Sequence, residues 1–188
     1  MKKIYFVTSN KGKLVEAQKK FLEIDIDVVQ KNIGYHEIQA DSLEEVAFFG
    51  VEHVLKNFKS PFILEDAGLF IDALKGFPGV YSAYVFHTVG CDGILKLMKD
   101  TKAKDRTAVF RSVFAYGKTG CKSQLFFGEC KGVISTIKRG SNGFGYDPIF
   151  IPQNSDKTFA EMNISEKNSY SHRGKSLEKL IDFFKKYK

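Results

Sequence analysis

Two periods of hydrophobic residues alternate along this chain. "KIYFVT" near its start is a short apolar run with polar flanks, which predicts a strand. The following "KGKLVEAQKKFLEI" sets Leu14, Ala17, Phe21 and Ile24 at helical spacing. A second helix is predicted from Ser42 to about Phe58, where Ser42 and Glu45 fit a capping box and Val46, Val51, Val54 and Phe58 keep an apolar stripe. "PFILED" reads as a buried strand that ends in two carboxylates. "GCDGILKLMKD", Gly90 to Asp100, predicts a third helix with Ile94, Leu97 and Met98 facing inward. "RTAVFRSVFAYG" and "SQLFFGECKGVIS", joined by "KTGCK" with Gly120 at the turn, predict a long antiparallel hairpin. "DPIFIP" predicts a further strand, and "SLEKLIDFFKKY" a last helix with Leu177, Leu180, Ile181 and Phe184 on one face.

Strands that alternate with helices early and pair as a hairpin late predict an α/β or α+β fold around one mixed sheet. At 188 residues, with no repeat, low-complexity tract or linker, the chain reads as a single domain over 1–188. Hydrophobic residues at 43% and charged residues at 27% exclude a disordered chain, and most of the 18 Phe must be core. No apolar run reaches the length of a membrane span, and the start turns polar too soon for a secretory signal, so a cytoplasmic protein without membrane contact is expected. Cys91, Cys121 and Cys130 lack paired spacing and are expected as free buried thiols, and the four His are too scattered to predict a zinc site. The net charge of +7 favours a polyanionic partner, either a nucleotide or a nucleic acid.

Four polar clusters fall at strand ends and loops. In "TSNKGK", Thr8, Ser9, Asn10, Lys11 and Lys13 stand where a strand gives way to a helix. They form either a phosphate cradle on the helix N-terminus or a plain helix cap with solvated lysines. In "LEDAG", Glu65 and Asp66 must point to opposite sides of an extended chain, so one can hold Mg²⁺ or orient a water while the other turns away; the alternative is a strand exit with an Asp turn. Glu37 matters only if it joins those two acids near the lysines. "RGSNGFGYDPIF" offers Phe144 and Tyr146 as rings to sandwich a purine and Asp147 to read its edge, if the segment is extended; otherwise it is a hydrophobic turn. "EKNSYSHRGKS" concentrates Lys167, His172, Arg173 and Lys175 as a phosphate grip, or as a solvated basic loop with Ser171 as helix cap.

"TSNKGK", "EIQAD", "EDAGL", "FPGVYSAY", "GFGYDPIF", "FAEM", "EKN" and "SHRGK" together, in this order and spacing, resemble the inosine triphosphate pyrophosphatases over nearly the full chain. The resemblance implies hydrolysis of ITP, dITP and XTP to the monophosphate and pyrophosphate with Mg²⁺, which keeps such nucleotides out of DNA and RNA. It also implies an elongated two-lobed α/β fold, with helices flanking a central mixed sheet and an active-site cleft between the lobes, and a homodimer that forms no stable nucleic-acid complex. Thr8, Ser9, Asn10, Lys11 and Lys13 would hold the triphosphate. Glu37, Glu65 and Asp66 would surround the metal, with Asp66 the catalytic base. Phe144, Gly145, Tyr146 and Asp147 would recognise the base, and Lys167, His172 and Arg173 would close over base and phosphates. The family's Lys in the second helix is replaced near Phe48, Phe49 and Gly50, and its basic residue in "YSAY" by Ala83 or Tyr84; Lys11, Lys56 or Arg139 are candidates to compensate. A pyrophosphatase for pyrimidine or modified nucleotides, or a non-catalytic nucleic-acid binder, are the alternatives.

Overall fold

The computed structural model describes residues 2–34 and 38–186. Its first strand, β1 (Lys2–Val7), stops where the apolar run stops, and α1 (Lys11–Phe21) follows with Ala17 and Phe21 buried. Then come β2 (Ile26–Lys31), α2 (Leu43–Asn57) and β3 (Phe62–Ile71). Ser42 caps α2 by accepting the Glu45 N–H at 3.2 Å, as its capping pattern requires. The remaining elements are β4 (Pro78–Gly79), α3 (Ser82–Thr88), α4 (Gly90–Leu97), β5 (Thr107–Gly117), β6 (Gln124–Ile134), β7 (Phe150–Pro152), α5 (Ile164–Tyr170) and α6 (His172–Lys186).

These elements form a mixed α/β fold with a seven-stranded sheet among the described residues, ordered β2-β1-β3-β5-β6-β7, with β4 beside β3. β1 runs parallel to β2 and β3, whereas β4 on β3 and β7 on β6 are antiparallel. The six-residue connection from β5 to β6 is too short for a parallel crossover and makes the predicted hairpin.

Packing divides the chain into two units. The first comprises Met1–Asp66, Ser112–Gly128 and Arg173–Lys188. Its core joins Phe6, Phe21, Ile63 and Phe114 to Leu177, Leu180 and Ile181 of α6. Each fully buried Phe here contributes about 1.5–3 kcal/mol relative to exposure. The second unit comprises Ala67–Arg111 and Glu129–His172. In its core Phe110 meets Phe150 edge-on at 4.7 Å, and Phe150 meets Phe159 at 5.1 Å.

Four expectations need correction. β3 does not end at Glu65 and Asp66 but continues to Ile71, since Leu69 and Ile71 are apolar and buried and Leu69 and Phe70 pair with β4. The third helix is shorter, Gly90–Leu97, and follows a separate helix, α3, with Gly90 at φ +61 between them. The basic segment before the last helix is no solvated loop: Ile164–Tyr170 is itself helical and buries Lys167 and Asn168. Cys91 and Cys130 are buried, but Cys121 is exposed because it lies in the β5–β6 turn. No helix among the described residues is long and apolar enough to cross a membrane.

Candidate active site

In the first unit the chain leaves β1, returns through α1 to β2 on one side, and then passes through α2 to β3 on the other. β1 is therefore the strand at which the winding reverses, and ligands of such sheets collect at the carboxyl ends of the strands there. Parallel pairing sets Val7 level with Leu64, so the loop that starts at Thr8 begins beside Glu65. The loop is shaped by its own side chains. Thr8 Oγ1 accepts the Asn10 N–H at 3.1 Å, and Asn10 caps α1 by accepting the Lys13 N–H at 3.0 Å. Asn10 thus is the helix cap of the plainer reading, but Lys13 is not solvated: its Nζ donates to the Glu65 carbonyl at 3.1 Å and lies 2.7 Å from Glu65 Oε2. Ser9 and Lys11 are exposed.

Glu65 and Asp66 take opposite faces of β3, as adjacent strand residues must. Glu65 is 4% exposed and Asp66 half-buried. Both Glu65 oxygens are engaged: Oε1 accepts from Ser112 Oγ at 2.9 Å and from Arg173 Nε at 3.1 Å, and Oε2 faces Lys13. Arg173, 2% exposed, also donates through Nη1 to Glu16 Oε2 at 2.7 Å. Glu65 is an anchor for cations, and Arg173 is a buried cross-link of α6 to β3 and α1. Glu16 and Ser112 were not singled out from the sequence; a carboxylate next to Ala17 on the inward stripe of α1 is the signal that marks Glu16.

Burial pushes the Glu65 carboxyl up, but Arg173, Lys13 and the hydrogen bonds from Lys13 and Ser112 outweigh it and bring it from 4.5 down to about 2. The stabilisation this implies, roughly 3 kcal/mol at 1.36 kcal/mol per unit, is complete above about pH 4.5 and fades as pH falls towards 2. We expect the urea midpoint of Glu65→Gln to fall well below the parent's at pH 7, the gap narrowing below about pH 4.5 and closing only towards pH 2. A gap that stays constant with pH would contradict the ion-pair account.

In the second unit the glycine-rich stretch is a run of turns, not an extended strand, so the alternation that would set Phe144 and Tyr146 on one strand face is absent. Tyr146 is 3% exposed, its hydroxyl donates to the Ser82 carbonyl at 3.0 Å, and its ring meets Phe86 edge-on at 5.3 Å; burial pushes its phenol up. The glycines fix one shape. Gly140 and Gly143 have φ of +77 and +75, and a Cβ on them would collide with the Ala160 backbone and the Asp147 carboxylate. Asp147 Oδ2 accepts from the Phe144 N–H at 2.8 Å and from Lys167 Nζ at 2.7 Å, and the Lys167 ammonium sits 4.9 Å from the centre of the half-buried Phe144 ring. Gly145, at φ +63, leaves open space where a side chain would stand. His172 is buried and stacks on Phe110 at 4.5 Å, so it is no surface histidine.

The sequence model of the Ham1 family matches residues 4–183. The chain belongs to the Ham1 family. Among relatives of this Ham1 chain, proteins named dITP/XTP pyrophosphatase from Pyrococcus horikoshii and Thermococcus kodakarensis are 51% and 50% identical over 183 residues, which cover 97% of each chain. A solved HAM1 protein from Coxiella burnetii superposes with a TM-score of 0.86 at 29% identity, over 99% of this chain and 100% of that one.

In this Ham1 chain Glu37 lies outside the described residues. Phe48 and Phe49 are exposed on α2, Gly50 is buried there, and Ala83 and Tyr84 are exposed on α3. Of the cations that could compensate, Arg139 already pairs with Glu161 at 3.4 Å and donates to the Asp156 carbonyl, whereas Lys11 and Lys56 are exposed.

Proposed function

We propose that the chain is a nucleoside triphosphate pyrophosphatase that hydrolyses ITP, dITP and XTP to the monophosphate and pyrophosphate. One observation carries the reading: Lys13, on the first turn of α1, is held 2.7 Å from Glu65 at the strand step that also presents Asp66, on the reversal point of the parallel strands. The names of the relatives support the same substrate class.

Water attacks the α-phosphorus, the bond from that phosphorus to the bridging oxygen breaks, and pyrophosphate leaves. Asp66 accepts the proton of the attacking water. Lys13, with the exposed Lys11, stabilises charge on the leaving pyrophosphate, and the α1 N-terminus and Thr8–Asn10 loop bind the phosphate chain.

Mg²⁺ belongs to this proposal. Among the described residues no three His, Cys, Asp or Glu side chains cluster as a cage, and Glu65 has both oxygens engaged. The set still fits Mg²⁺, which is commonly bound by one or two carboxylates with substrate phosphates completing its shell. Asp66, with Glu37, would hold it, and it would supply charge neutralisation on the phosphates.

The base is assigned to Phe144, Gly145, Tyr146, Asp147, Lys167 and His172, with Asp147 accepting from the Lys167 ammonium. A donor facing the 6-oxo group meets another donor when adenine enters, which rejects ATP. A homodimer acting in the cytoplasm completes the proposal; light scattering should return twice the mass of one chain.

Pyrophosphate release from ITP, dITP, XTP, GTP, ATP, dUTP and dTTP tests the substrate assignment. We expect ITP, dITP and XTP to exceed ATP by about 10²-fold or more in kcat/KM. Equal rates on all purines, or a preference for dUTP, would overturn it.

A further inference from the structure

We propose that Glu16 is a positioning residue that sets the phosphate-binding cation Lys13, acting through Arg173 and Glu65. The inference rests on the phosphate role given to Lys13 above. Lys13, Glu65, Arg173 and Glu16 form a chain of alternating charges with successive separations of 2.7, 3.1 and 2.7 Å. Glu16 and Arg173 are 3% and 2% exposed, so water does not screen their attraction. Lys13 and Glu16 are three apart on α1, on neighbouring positions of one helix face, so the helix that presents the cation also carries the far end of the chain.

The guanidinium geometry gives Glu16 its effect. Arg173 spends Nε on Glu65 Oε1 and Nη1 on Glu16 Oε2, so it divides its fork between two carboxylates. Glu65 Oε2 is thereby left to Lys13. Without the charge on Glu16, the fork would turn both arms onto Glu65, the bidentate geometry that Arg and a carboxylate favour. Oε2 would leave Lys13, and the ammonium would lose the contact that aims it at the phosphate chain. Ser112 holds Oε1 at 2.9 Å and so keeps the carboxylate from simply rotating to serve both cations.

The test is a double-mutant cycle on ITP hydrolysis with Glu16→Gln, Lys13→Gln and the pair, thermal midpoints being measured alongside. Glu16→Gln is expected to lower kcat/KM about tenfold in the parent and to have almost no effect once Lys13 is Gln, the non-additivity of groups that act as a unit. Glu16→Asp, which keeps the charge, should recover part of the loss. If Glu16→Gln does not fold, Glu16→Asp replaces it in the cycle with the same expected pattern at smaller amplitude. Additive losses in the double variant, or a lowered midpoint with unchanged kcat/KM, would overturn the positioning role. Unchanged kcat/KM in Lys13→Gln alone would instead overturn the phosphate role of Lys13.

Discussion

Asp66→Asn is expected to slow pyrophosphate release from ITP by roughly 10²–10⁴-fold, the size of a lost general base. The substitution keeps shape and hydrogen-bonding capacity but removes the charge and the basic oxygen. Glu65 cannot take over. It points to the other face of β3, and its carboxylate is held by Lys13, Arg173 and Ser112. Because Lys13 and the α1 loop are untouched, ITP without Mg²⁺ should still bind with an affinity within a few-fold of the parent's by calorimetry, which places the loss in the metal-assisted step and not in the phosphate grip. Turnover within twofold of the parent would remove Asp66 from the chemistry.

The second large effect is one of stability. Lys167→Met leaves the Asp147 carboxylate buried without the cation 2.7 Å from it, in a place where both side chains are almost fully covered. Removing one partner of such a pair costs about 3–5 kcal/mol, whereas replacing both by apolar groups of similar size is often neutral. Lys167→Met should therefore lower the unfolding free energy by about that amount, and Lys167→Met with Asp147→Leu should lose less. ITP turnover should stay impaired in the double variant, because the ammonium near Phe144 is still missing. A single variant as stable as the parent would show that the pair contributes nothing to the fold, and a double variant with full activity would remove Lys167 from base recognition.

The sequence made the frame readable where periodicity was strong. Leu14, Ala17 and Phe21 announced α1, the Ser42–Glu45 pair announced α2, and two long β-rich runs around Gly120 announced the hairpin. It was less readable where local pattern and tertiary burial disagree. Lys167 and Arg173 sit in a run of charges that reads as solvent-facing, yet each is buried because a carboxylate distant in sequence meets it, Asp147 in one case and Glu16 with Glu65 in the other. Alternation along β3 required Glu65 and Asp66 to diverge but could not say which one turns inward, since that depends on Arg173 arriving from 108 positions away. The glycines of "RGSNGFG" signalled an unusual backbone without revealing that they clear space for Ala160 and Asp147.

The fate of one oxygen atom shows which phosphorus water attacks. ITP hydrolysed by the protein with Mg²⁺ in ¹⁸O-labelled water should yield inosine monophosphate carrying the label and unlabelled pyrophosphate. Label in the pyrophosphate, or release of orthophosphate and inosine diphosphate in its place, would contradict the account.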